Sequence, residues 1–208
     1  MNDARACLTI SGNSIHVRLI AGRIQTSADE LTWLDRPIAV RTFLRGVTYG
    51  NGLFVVVGGS YFDTPGVILT SRNGLTWTRR NRANRKNLYG VTFGEGAFVA
   101  VGDNGAIVTS VDGIHWKSRG ANTEDETLFA AIAFGNGRFV GGGESGAIIT
   151  STNGVDWVVR RLDGAPYVGR ITFRDDVFVV ANGHIPFVSS DGLNWWRYEV
   201  GTTALNYR

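Results

Sequence analysis

A serine-to-tryptophan turn that occurs five times constrains this chain more than any other feature. The copies read TSADELTW, TSRNGLTW, TSVDGIHW, TSTNGVDW and VSSDGLNW. Their serines, Ser27, Ser71, Ser110, Ser151 and Ser189, are spaced by 44, 39, 41 and 38 residues. Trp33, Trp77, Trp116, Trp157 and Trp195 each stand six residues after the serine. A period near forty decides architecture before any local reading, because each copy is one unit that buries its faces only against its neighbours.

Each turn closes a longer repeat. VTFGEGAFVAVGDNGAIVTS (Val91 to Ser110) and IAFGNGRFVGGGESGAIITS (Ile132 to Ser151) have equal length. Val47 to Ser71 carries five extra residues, and Ile171 to Ser190 aligns with one position deleted. Leu8 to Ser27 is a degenerate first copy. Short β-rich runs alternate with Gly-Asn and Asp-Gly hairpin signals, and no segment sustains a helical period. The pattern predicts an all-β chain: a single-domain, five-bladed β-propeller of four-stranded antiparallel blades spanning residues 1–208. The blades are expected at about 4–41, 42–86, 87–126, 127–166 and 167–203. The first copy lacks the leader Leu88-Tyr89-Gly90, which Leu205-Asn206-Tyr207 mimics. The tail 204–208 is therefore expected to close the ring by mixing N- and C-terminal strands.

The S-x-[DN]-G-x-x-W block resembles the Asp-box of sialidase-like (BNR repeat) propellers. The wider GNGxFVAVGxxGxIxTSxDGxxW pattern is similar to repeats in photosystem assembly-factor propellers and in many bacterial and phage proteins. The resemblance implies a fold and no particular activity, since one fold hosts many functions. It assigns Asp29, Asn73, Asp112, Asn153 and Asp191 to accepting hydrogen bonds from their own turns. The five tryptophans are expected to pack between sheets. Glu30 stands where the other copies have glycine, so the first turn is expected to be looser or differently shaped. The Phe-Arg-Ile-Pro stretch of sialidases is absent.

The chain is 43% hydrophobic and 19% charged, enough for one sizeable core. A net charge of +3 points only weakly toward anionic partners. Cys7 is the sole cysteine, which excludes an internal disulfide and a cysteine metal cluster. No apolar run reaches the ~20 residues that span a bilayer. The start, MNDARACLTI, shows no secretory signal pattern.

Function on such a scaffold is expected where the copies differ, in the loops around one mouth of the channel. The insertion Tyr61, Phe62, Asp63 is the most distinctive loop, and Asp103, Asn104, Glu144 and His184 occupy equivalent connections. Arg79, Arg82, Arg85 and Lys86 form a basic loop suited to phosphate or sulfate. Arg36, Arg80, Arg119, Arg160 and Arg197 follow the tryptophans, where edge-strand charges discourage aggregation. His16, His115 and His184 fall at different repeat positions, which disfavours a three-histidine metal site. We expect a non-catalytic module that recognises a glycan or a protein through this loop face, as a monomer or small homo-oligomer. The alternative is a hydrolase using acidic residues and His184 at the channel mouth, metal-assisted or not, with its catalytic residues unassigned. No cofactor is expected beyond a divalent metal in that alternative. Nucleic acid is not expected, because no aromatic platform accompanies the arginines.

Overall fold

A computed structural model describes residues 9–40, 42–60, 66–81, 85–120, 127–181 and 186–198. The described residues form five separate sheets, each of four antiparallel strands consecutive in sequence. The first holds β1 (Thr9–Gly12), β2 (Ile15–Ile20), β3 (Arg23–Ser27) and β4 (Leu34–Arg36). The second holds β5 (Phe43–Gly50), β6 (Leu53–Gly59), β7 (Val67–Ser71) and β8 (Thr78–Arg79). The third holds β9 (Leu88–Gly94), β10 (Ala97–Gly102), β11 (Ala106–Ser110) and β12 (Lys117–Gly120). The fourth holds β13 (Phe129–Gly135), β14 (Arg138–Gly143), β15 (Ala147–Ser151) and β16 (Val158–Arg161). The fifth holds β17 (Ile171–Arg174), β18 (Val177–Val180), β19 (Phe187–Ser189) and β20 (Trp196–Arg197). The first strands touch in succession, β1 to β5 to β9 to β13 to β17, as blades around a common axis do. No helix is long and apolar enough to cross a membrane. The residues on which the expected ring closure rests, 204–208 and the first eight, lie outside the described residues.

Tight hairpins make these sheets. Between the first two strands, Asn51-Gly52, Glu95-Gly96 and Asn136-Gly137 all hold positive φ at both positions. That is the geometry whose twist suits a two-residue hairpin. The next hairpins use Ala21-Gly22, Asn104-Gly105 and Ser145-Gly146 in the same way.

Four hydrophobic clusters hold the sheets together, each combining residues of two neighbouring sheets. The face of a sheet turned toward its predecessor is its leading face, and the opposite face is its trailing face. Phe54, Phe98, Phe139 and Phe178 are fully buried on leading faces. Each packs on an aromatic of its own first strand: Tyr49, Phe93, Phe134 and Phe173, with ring centroids 4.7, 4.7, 4.7 and 4.8 Å apart. Those four rings lie on Gly12, Gly50, Gly94 and Gly135 at the ends of the preceding first strands. A Cβ at these glycines would come within 2.4, 2.1, 2.1 and 2.2 Å of ring atoms. Only glycine permits that approach. Hairpin asparagines add polar ties: Asn13 Nδ2 donates to the Arg72 carbonyl at 2.6 Å, and Asn136 Nδ2 to the Ser190 carbonyl at 2.9 Å.

The two outermost faces are built differently. By strand register, His16 and Arg18 stand where the second sheet has Phe54 and Val56. Ser11 takes the place of Tyr49. These polar groups satisfy one another. Ser11 Oγ and Glu30 Oε1 both lie 2.8 Å from His16 Nδ1. Arg18 donates to Gln25 Oε1 at 3.0 and 2.8 Å while its guanidinium stacks 3.8 Å above Trp33. On the trailing face of the fifth sheet, Arg174 stands where the other sheets end in glycine, and Asp175 where Asn136 and Asn51 begin their hairpins. Val179 is partly exposed there, whereas its equivalents Val17, Val55, Val99 and Val140 are fully buried.

Candidate functional site

The five Ser-to-Trp turns share one geometry. Asp29 Oδ1 accepts from the Leu31 and Thr32 N–H groups at 2.9 and 2.8 Å. Asn73, Asp112, Asn153 and Asp191 accept the equivalent pair at 2.8 to 3.0 Å. The serine hydroxyl two residues earlier donates to the same oxygen in every copy. Glu30 adopts φ +60° and the first turn keeps the full bonding set, contrary to the looser turn expected from its missing glycine. The Asp29 anchor and the Trp33 Nε1 bond to the Glu30 carbonyl, 3.0 Å, hold the chain in the left-handed conformation that glycine adopts freely.

Those N–H donors also set the acidity of the turn carboxyls. The Thr32 N–H, then Ser27 and the Leu31 N–H, hold Asp29 down at about 2. The backbone N–H of His115, then its ring, hold Asp112 well below the usual carboxylate range. Burial pulls Asp191 upward, but the Asn194 and Leu193 N–H groups outweigh it and bring it to about 2. Each group is spent on its own turn. Three of the arginines after the tryptophans are also tied inward. Arg36, Arg80 and Arg119 donate Nε to Thr26, Thr70 and Thr109 Oγ1 at 2.7, 2.7 and 3.2 Å.

At the opposite end of the sheets, the second hairpins interlace with the inter-sheet linkers. Asn87, in the linker before β9, gathers three groups. Its Oδ1 accepts from the Ser60 N–H at 3.1 Å, and its Nδ2 donates to the Ser60 carbonyl and to Asp103 Oδ2 at 3.0 and 2.8 Å. Lys86 Nζ donates to the Asn104 carbonyl at 2.6 Å. Glu144 Oε2 accepts from the Leu128 N–H at 3.4 Å. The structure thus brings Asp103, Asn104 and Lys86 to one place and Glu144 to the equivalent place in the next sheet, all engaged in joining loops. Arg79 lies in β8, and Arg85 accepts a bond from the Gly66 N–H through its carbonyl. Tyr61, Phe62, Asp63, Arg82 and His184 lie outside the described residues. Sequence reasoning passed over Asn87, whose only signal is its place directly before the first-strand leader.

A concavity of about 580 Å³ opens on this face between the first and second sheets. It lies between the short Ala21-Gly22 hairpin of the first sheet and Phe43 and Ser60 of the second. Phe43, 56% exposed, is its aromatic wall, with Ile38 and Val40 beside it. The polar side is an ordered string: Arg23 Nη1 lies 3.3 Å from Asp35 Oδ2, and Gln25 Nε2 donates to Asp35 Oδ1 at 2.8 Å. Thr42 Oγ1, also in the lining, is buried without a hydrogen-bond partner. Among the described residues, no three histidine, cysteine, aspartate or glutamate side chains gather as metal ligands do.

No known family profile matches the chain, and no curated protein is similar in sequence. Solved structures are similar in fold. A structure titled YCF48 bound to D1 peptide superposes with a TM-score of 0.66 at 15% identity, covering 91% of this chain and 67% of that one. Virginiamycin B lyase from Staphylococcus aureus gives 0.76 at 13% identity, covering 93% and 69%. A GH74 enzyme from Niastella koreensis gives 0.57 at 15% identity, covering 88% and 29%. At such identities the likeness shows the fold alone. The chain is a β-propeller, and its neighbours include both binding proteins and enzymes.

Proposed function

We propose that this chain is a non-catalytic, Asp-box-type propeller that binds an extended segment of a protein partner through its loop face. The concavity between the first and second sheets carries the reading. It pairs an exposed phenyl ring with ordered charged groups of both signs, a combination suited to side chains and peptide N–H groups of a partner. Small-ligand and peptide sites share this plan, an apolar wall with a few placed polar groups. The YCF48 structure with a bound D1 peptide is a propeller neighbour in keeping with it. The hydrolase alternative rests on His184 with acidic residues from among Asp103, Glu144 and Asp63, the last outside the described residues. The first two carboxylates are occupied by Asn87 and the Leu128 N–H, which favours binding over chemistry.

Selection from a displayed peptide library, with a glycan array run on the same protein, tests this. Enriched peptides should lose about tenfold or more in affinity on Phe43→Ala, a loss of ~1.4 kcal/mol. Peptides that bind Phe43→Ala and wild type alike would move the site elsewhere. A glycan hit abolished by Phe43→Ala would replace the partner class.

A further inference from the structure

The fifth turn breaks a rule that the other four keep. Trp33, Trp77, Trp116 and Trp157 donate Nε1 to the carbonyl three residues earlier, at 3.0, 2.9, 3.0 and 3.1 Å. Trp195 Nε1 is buried and has no partner. In sheets two to four the turn tryptophan also packs on the buried phenylalanine, with centroids 6.4, 6.3 and 6.3 Å apart. Phe178 keeps its contact with Phe173, yet no such pairing with Trp195 exists among the described residues. The Trp195 indole packs on the core cluster of Phe178 and Phe187 without the hydrogen bond that the other four make, and a buried donor without an acceptor is costly enough to require an explanation.

Trp195 lines a groove of about 610 Å³ between the fourth and fifth sheets. Arg161 and Asp163 come from the fourth sheet and its linker, and Trp196 and Arg197 from the last strand. Trp196 is the one tryptophan outside the repeat and is 48% exposed. The equivalent positions hold Leu34, Thr78, Lys117 and Val158. Two arginines and one carboxylate line the groove, so it is cationic and rich in donors, with an indole surface at its edge; Arg161 Nη1 also donates to the Ser145 carbonyl at 3.1 Å, and the Arg197 guanidinium lies 5.6 Å over the Phe187 ring. What the Trp195 N–H lacks is an acceptor. We infer that this groove binds an acidic peptide segment carrying an aromatic or aliphatic residue. A carboxylate of the peptide lies between Arg161 and Arg197, as charge-assisted pairing favours. A peptide carbonyl takes the Trp195 N–H once the indole turns outward, the apolar residue covers Trp196, and Asp163 accepts a peptide N–H. Asp163 disfavours the alternative occupant of a cationic aromatic groove, a single-stranded nucleic acid. The site lies apart from the Phe43 concavity and does not depend on it.

Fluorescence anisotropy with a labelled Glu/Asp/Phe peptide tests the inference, beside its Gln/Asn counterpart and a labelled oligo-dT. The acidic peptide should bind at least about tenfold more tightly than the neutral one. Trp195→Phe should weaken binding by about tenfold through the lost hydrogen bond. It should leave the melting temperature unchanged or raised, since it removes an unsatisfied donor. Trp157→Phe, which loses a satisfied donor, should lower the melting temperature and leave peptide affinity intact. Equal affinity for the neutral peptide, undiminished binding by Trp195→Phe, no binding of the acidic peptide, or preference for oligo-dT would each overturn the inference.

Discussion

Between neighbouring sheets this chain makes one seam four times, and at its two outer faces it makes something else. The seams are apolar and directional: glycine on the trailing side, an aromatic and a buried phenylalanine on the leading side. The leading face of the first sheet replaces phenylalanine, valine and tyrosine with His16, Arg18 and Ser11. The trailing face of the fifth replaces glycine and asparagine with Arg174 and Asp175. The two differ in kind, since the first is a closed polar network and the fifth keeps valines behind a charged rim. Identical repeat position therefore does not mean identical environment. What a residue does depends on the groups that share its face.

The largest expected effect is inside a seam. Trp116, 6% exposed, packs against Phe98 and donates to the Gly113 carbonyl. Trp116→Ala should cost ~3–5 kcal/mol in chemical denaturation, as buried aromatic truncations do. A loss below ~1 kcal/mol would remove the seam from the list of what holds the fold. Next comes the glycine. Gly94→Ala places a methyl into the Phe134 ring and should cost ~1–3 kcal/mol by overpacking. Arg174→Ala, the same position at the outer face, should change stability by less than ~0.5 kcal/mol. Equal costs would erase the distinction between seam and end.

Smaller effects sharpen the contrast. His16→Phe with Arg18→Val rebuilds a seam surface on the first sheet. The double variant should gain self-association, visible by light scattering, while the wild-type face stays inert. A strictly unchanged oligomeric state would show that the polar network is not protective. Acid should act on alternate turns. Asp29, Asp112 and Asp191 have carboxyls depressed in the fold, so their stabilisation is complete above the ordinary value of 3.8. It fades as pH falls toward about 2 for Asp29 and Asp191. Asn73 and Asn153 have nothing to protonate. Hydrogen exchange at low pH should therefore rise first at the N–H groups of Leu31, Thr32, Leu193 and Asn194, and Asp29→Asn should remove the change at Leu31 and Thr32. Simultaneous loss in all five turns would point to global unfolding instead.

The propeller was legible because its signals are local and repeated: a turn, a glycine, a tryptophan at fixed offset. The seams were legible only by half. Phe93-Gly94 and Phe134-Gly135 stand adjacent in sequence, but each ring lies on the glycine of the sheet before, a pairing about forty residues apart. The first turn misled because Glu30 breaks the residue rule while obeying the backbone rule. The two concavities join side chains from different sheets, and no spacing announces them. Trp196, the tryptophan outside the repeat, was the one visible trace of the second. The sequence could not show that the Asp103 and Glu144 carboxylates engage the linker residues Asn87 and Leu128, or that Lys86, in a linker, donates to the Asn104 carbonyl.

The glycine beneath each aromatic ring has a geometric consequence. Ring-to-backbone contact acts as a spacer of one thickness, used four times, and each ring meets the buried phenylalanine beside it at nearly the same angle, 52°, 54°, 54° and 55°. A constant spacer imposes a constant wedge angle between sheets. The angle per unit, rather than the length of the chain, then sets how many units a full turn accommodates. One methyl at any of these glycines would widen a single wedge and bend the axis about which all the sheets are arranged.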